Sequence, residues 1–76
     1  MKDFDYYRER FKILAPYIKF NSICKDLGIS QPNFSNFMRE IEGYLSLKTL
    51  ARIDNYLQEH LVELLMGESK EDEYEN

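Results

Sequence analysis

The stretch Phe20–Phe37, FNSICKDLGISQPNFSNF, decides how this chain folds. Ile23 and Leu27 stand one helical turn apart, Gly28 supplies a stop, Ser30 is a cap residue, and Phe34 and Phe37 recur at the spacing that points two side chains inward from one helix. The pattern predicts two short helices joined by a tight turn. Each position has a steric reason. Cys24 is small enough for the two helices to cross closely, Gly28 accepts the left-handed backbone of the turn, and Ile29 fills the angle between them. This is the spacing of a helix-turn-helix unit.

Working outward, the chain before this stretch predicts a helix over Asp3 to Ala15. Phe4, Tyr7, Phe11 and Leu14 fall on one stripe, with Arg8, Glu9 and Lys12 away from it. Pro16 disfavours helical geometry at Ala15 and lacks an amide proton, so the chain breaks there. Tyr17, Ile18 and Phe20 lead into the second helix, with Asn21 or its predecessor as cap. The expected core is therefore aromatic: Phe4, Tyr7, Phe11, Tyr17, Phe20, Phe34 and Phe37.

The third helix is expected from Ser30 to about Arg39, with Pro32 tolerated in its first turn. Phe34, Phe37 and Met38 share one side; Pro32, Ser35, Asn36 and Arg39 share the other. The outward side is built from small and amide side chains that are poor helix formers in mid-helix, so something other than helix stability favours them there.

After a Gly43-containing loop, Ser46 is the expected cap of a last helix carrying Leu47, Leu50, Ile53, Leu57, Leu61 and Leu64, with Gly67 as its stop. Beyond Leu57 the apolar surface is too wide for one small monomer, and Leu61, Leu64 and Leu65 are expected in a homodimer interface. The alternative is a break near Gln58 and a fifth helix folded back on the core, with Asp54 suited to a bend or a buried cap.

The 76 residues carry 14 acids and 10 Lys or Arg, but five acids and one lysine lie from Glu68 onward, leaving nine of each sign in residues 1–67. The acidity belongs to the end of the chain. Residues 1–67 form one expected all-α domain of four to five helices, and residues 68–76 an acidic, disordered tail. The sequence has no apolar run long enough for a membrane span and no signal leader, so a cytoplasmic location is expected. A single cysteine, Cys24, and a single histidine, His60, leave no metal cluster, no nucleophile–base pair and no reason to expect a cofactor or an enzyme.

Phe20–Phe37, followed by the Gly-containing loop and the L-S-L-x-x-L-x-x-I run of Leu45 to Ile53, resembles the lambda-repressor-like helix-turn-helix family of phage and mobile-element regulators, over about two thirds of the chain. The resemblance implies binding of double-stranded DNA and gene regulation, commonly repression, with the third helix in the major groove. By motif position Gln31, Pro32 and Asn36 would face base edges, while Ser30, Asn33 and Ser35 approach phosphates and Arg39 lies at the far end of the contact. Lys19, Lys25, Lys48 and Arg52, aided by the starts of the second, third and fourth helices, would hold phosphates. A homodimer would present two such helices about 34 Å apart. Glu40 and Glu42 oppose phosphate contact in the loop, so a second reading stands beside the first: the same scaffold as an acidic protein-binding module, an antirepressor or inhibitor.

Overall fold

The computed structural model describes the backbone of residues 2–75 and the side chains of residues 2–66. Among the described residues the chain is all-helical: α1 (Phe4–Leu14), α2 (Phe20–Leu27), α3 (Gln31–Met38) and α4 (Leu47–Glu75). No helix among them is long and apolar enough to cross a membrane.

Local chemistry sets each boundary. Asp3 caps α1 by accepting from the Tyr6 amide at 2.8 Å. Pro16 follows its last turn, and the Ala15, Tyr17 and Ile18 amides close back on Phe11 and Leu14. α2 ends at Gly28, whose φ of 72° lets its own amide reach Lys25 and the Ile29 amide reach Cys24 at 2.8 Å. This pair of bonds satisfies carbonyls that a helix end otherwise strands. Ser30 caps α3 through the Asn33 amide, and Ser46 caps α4 through the Thr49 amide at 3.2 Å.

α3 closes in the same way as α2, with Ile41 donating to Asn36 and Glu40 to Phe37. Here, however, the left-handed position is held by Glu40, at φ 67°. A side chain at this φ is strained where glycine is not.

Phe11 lies at the centre of the core, fully buried, with its ring 5.3 Å from Phe20, 6.0 Å from Phe34 and 6.3 Å from Phe37. Ile23, Cys24, Leu50, Ile53 and Leu57 complete it, which brings one face of every helix to a single cluster. Cys24 is fully enclosed at the crossing, and burial pushes its thiol pKa up.

Several expectations are corrected. Phe4 and Tyr17 are 43% and 65% exposed: Phe4 is the first residue of α1, and in the link to α2 it is Ile18, next to Tyr17, that takes the buried position. Arg8, expected outside, is buried: its Nε donates to the Phe37 carbonyl at 2.9 Å, its guanidinium lies 4.5 Å over the Phe37 ring, and Nη1 reaches Asp5. An arginine can occupy an inward position when its stem packs and its head is fully paired. Asp54 is neither a cap nor a bend. Its Oδ1 accepts from Arg10 Nε and Nη2 at 2.8 and 2.7 Å, and its Oδ2 from Gln58 Nε2 at 2.7 Å, a linkage between α1 and α4.

The second helix starts at Phe20, with Lys19 at the cap position and no side-chain cap bond, where Asn21 or Phe20 was expected to cap. Gly67 does not stop the last helix; α4 continues to Glu75 and takes in the segment expected as a disordered tail. One mid-helix glycine costs only about 1 kcal/mol, and the glutamates and lysine beyond it are good helix formers. The break in α4 lies at His60, where φ is −119° and ψ 17°. It interrupts the helix but does not fold it back, and α4 gives the molecule its 43 Å long axis against 24 and 19 Å. Leu64, expected in a dimer interface, is half-buried and packs on the core.

Two substitutions test this account. Replacing Glu40 by Gly should raise stability by about 0.5–1 kcal/mol, read by chemical denaturation, because the left-handed residue loses its strain. Replacing Cys24 by Leu should lower it by about 1–3 kcal/mol, because no space exists for the added atoms at the crossing.

Candidate nucleic-acid interface

The residues singled out by the sequence lie along one edge of the molecule, on α3 and the two ends of α2. Gln31, Pro32, Ser35 and Arg39 are exposed, and Asn33 and Asn36 are half-buried on the same helix. Phe34 and Phe37 hold the opposite face in the core and so fix the rotation of α3 about its axis. Gln31 and Ser35 are one turn apart, as are Pro32 and Asn36, which makes the outward side a strip of hydrogen-bonding groups around one ring of proline.

Some of these groups are already engaged. Arg39 Nη2 donates to Asn36 Oδ1 at 2.6 Å, so the guanidinium is held against α3, and the Asn36 amide NH2 remains as a donor. The Ser30 Oγ accepts from Asn33 N at 3.3 Å in the cap and keeps its own proton to donate.

Three helix starts were expected to contribute amides, and they differ. Those of α3 and α4 are capped by Ser30 and Ser46, whereas α2 begins without a side-chain acceptor. Lys19, Asn21 and Ser22 at that start share a shallow depression with Ser35 of α3. The structure therefore brings Lys19 and Ser35 together and adds Asn21, expected only as a helix cap, and Ser22. The signal was available in principle: two small polar side chains follow a lysine where no cap bond is made. An uncapped helix start beside a lysine favours an anion through its free amides and its partial positive charge.

Lys25 is exposed in the last turn of α2 and forms no bond to the other predicted residues. Lys48 is exposed on the first turn of α4. Arg52 is turned inward to the protein, donating from Nη2 to the Leu27 carbonyl at 3.0 Å, and so acts as a tie between α4 and the end of α2. Tyr56 makes a second tie, its hydroxyl donating to Asp26 Oδ2 at 2.7 Å. That bond occupies the one acidic group between Lys19 and Arg39, a stretch with three bases and one acid. Glu40 and Glu42 follow Arg39 directly, so the excess of bases is confined to the segment from Lys19 to Arg39.

Among the described residues no group of three metal-binding side chains comes together, and His60 packs at a tilt of 42° against Tyr56 with its Nδ1 3.6 Å from Glu63. No protein-family model matches the chain, and neither a curated protein nor a solved structure matches it significantly.

The Tyr56–Asp26 tie has a pH signature. The bond to Asp26, aided by burial and by the negative charge nearby, raises the tyrosine pKa above its ordinary value of 10.0. A raised value means that the neutral phenol is favoured by folding. The contribution is complete below pH 10 and declines as pH rises through the folded-state pKa. Replacing Tyr56 by Phe should lower the melting temperature near neutrality, where the bond is intact, and flatten the alkaline part of the profile, so that the two proteins converge as pH rises through the folded-state pKa.

Proposed function

We propose that the chain binds double-stranded DNA in a sequence-specific way and regulates transcription, with α2, the Gly28 turn and α3 acting as a helix-turn-helix of the lambda-repressor-like kind. The observation that carries the reading is the outward strip of α3. Gln31, Pro32, Ser35, Asn36 and Arg39 stand where aromatic packing holds the helix rigidly, beside the uncapped, lysine-bearing start of α2. A surface helix serving only its own stability would be built from better helix formers.

In this reading α3 enters the major groove. Gln31 and Asn36 offer amides to base edges, Gln31 with a donor and acceptor in one plane suited to adenine, and Pro32 lies against a thymine methyl. Phosphates are held by Lys19, by the first two amides of α2 and by the Asn21 and Ser22 side chains, the Ser22 amide being bonded to the Lys19 carbonyl, with Ser35, Lys25 and Lys48 as further donors. Arg39 reaches the backbone at the end of α3. Glu40, exposed just beyond it and 3.9 Å from Lys12, limits how far the contact extends. With so few cations per copy, affinity falls with salt by roughly 0.9 logarithmic units per phosphate contacted.

A second reading rests on a different surface. Exposed Phe4 lies in a depression with Asp3, Asp5, Arg8 and Glu42; Arg8 pairs with Asp5, which leaves Asp3 and Glu42 as the carboxylates for a basic peptide segment. There the chain would act as a protein-binding module.

Selection of bound duplexes from a random pool, at two salt concentrations, separates the two. The unaltered protein should enrich one motif. The Gln31→Ala, Asn36→Ala double variant should lose that enrichment with its melting temperature nearly unchanged. Retention of no duplex at low salt, or the same motif from the double variant, would overturn the DNA reading; capture of a lysine- and arginine-rich peptide without DNA would put the second one first.

A further inference from the structure

α4 leaves apolar side chains in water that its own bundle does not cover. Of the six residues 61–66 only Glu63 is charged, and Val62, Leu65 and Met66 are 69%, 48% and 54% exposed. Leu61 and Leu65 stand one turn apart, and Val62 and Met66 form an adjacent pair. The break at His60 precedes them; Leu64 still packs on the core, while Leu61, Val62, Leu65 and Met66 stay exposed.

Next to it is a groove between α1 and α4, lined by Ile13, Leu14, Leu57 and Leu61. Ile13, next to the end of α1, is 66% exposed on the wall of this groove. The rim is formed by Arg10 and Gln58, and both donate to the buried Asp54 carboxylate. The donors Arg10 Nε and Nη2 and Gln58 Nε2 are thus turned to Asp54, and the groove walls are apolar.

We propose that the occupant is a second copy of this chain: residues 61–66 of one copy seat in the α1–α4 groove of the other, and the exchange is reciprocal. One chain carries both halves, an apolar groove and an apolar helical segment continuous with its wall, and a two-fold axis covers both at once. The area agrees. Ile13, Leu61, Val62, Leu65 and Met66 expose roughly 500 Å² per copy, so two copies bury about 1,000 Å², the threshold of a specific interface. The interface expected from the sequence on the last helix alone thereby gains α1 as its second wall. This stands apart from the DNA reading, since neither partner surface includes α2 or α3.

The test is mass in solution, by sedimentation over a concentration series without DNA. The full chain should run as a dimer at sub-millimolar concentration. Ile13→Lys and Leu65→Glu should each halve the mass while keeping the helical spectrum, since both side chains are solvent-exposed in the single copy. Mixing the two variants should restore a dimer, because lysine in one groove then meets glutamate on the partner's helix. A monomeric unaltered chain overturns the proposal. So does an Ile13→Lys variant that remains dimeric, which would place the contact between α4 ends alone. Failure here leaves the α3 substitutions and their duplex selection to be judged separately.

Discussion

The packing of Phe11 is the constraint on which the other elements depend. Its ring meets Phe20 of α2 and both Phe34 and Phe37 of α3, so a single side chain of α1 sets the spacing of three helices. Phe20 and Phe34 are themselves stacked, 5.3 Å apart and 16° from parallel. Rings of this size cannot rotate past one another without opening a void, and voids in a core of this size are costly. The rotation of α3 is thereby fixed, and with it the direction in which Gln31 and Asn36 face.

Around this aromatic centre, charge does work usually left to apolar contacts. Arg8 closes the last turn of α3 by taking the Phe37 carbonyl, and Arg10 with Gln58 satisfies a carboxylate inside the α1–α4 seam. Among the described residues no buried side-chain nitrogen or oxygen lacks a partner. A small core gains specificity from such bonds, because an alternative packing would strand the same groups without water. Arg52 and Tyr56 extend the principle to α2, which has only two turns and is held at its C-terminal end by α4.

Much of this was legible in the sequence. The Phe20–Phe37 pattern gave both short helices, the glycine turn and the Ser30 cap, because each depends on chemistry local to a few residues. Ser46 and the α1 boundary were read for the same reason. What escaped was set by partners distant in the chain. Nothing near Arg8 announces that a carbonyl 29 positions later needs a donor, and nothing near Asp54 announces Arg10, 44 positions away. Phe4 carried the right periodicity for a core but stands at the very start of α1, and beside Tyr17 it is Ile18 that takes the buried position. The outward face of α3 was legible as a set of residues, while the uncapped start of α2 that adjoins it became visible only once Ser35 was placed beside Lys19.

The distribution of basic side chains has a chemical consequence. All four arginines donate to acceptors within the protein: Arg8 to the Phe37 carbonyl and Asp5, Arg10 to Asp54, Arg39 to Asn36, Arg52 to Leu27. Lys19, Lys25 and Lys48 point outward. Apart from Arg39, which is exposed and bonds only within α3, scaffold and outward charge are thus divided between two kinds of side chain with different reactivities. Acylation of amines would strip the positive edge while leaving the architecture standing, whereas a dicarbonyl that condenses with guanidinium groups would attack the joints of the bundle.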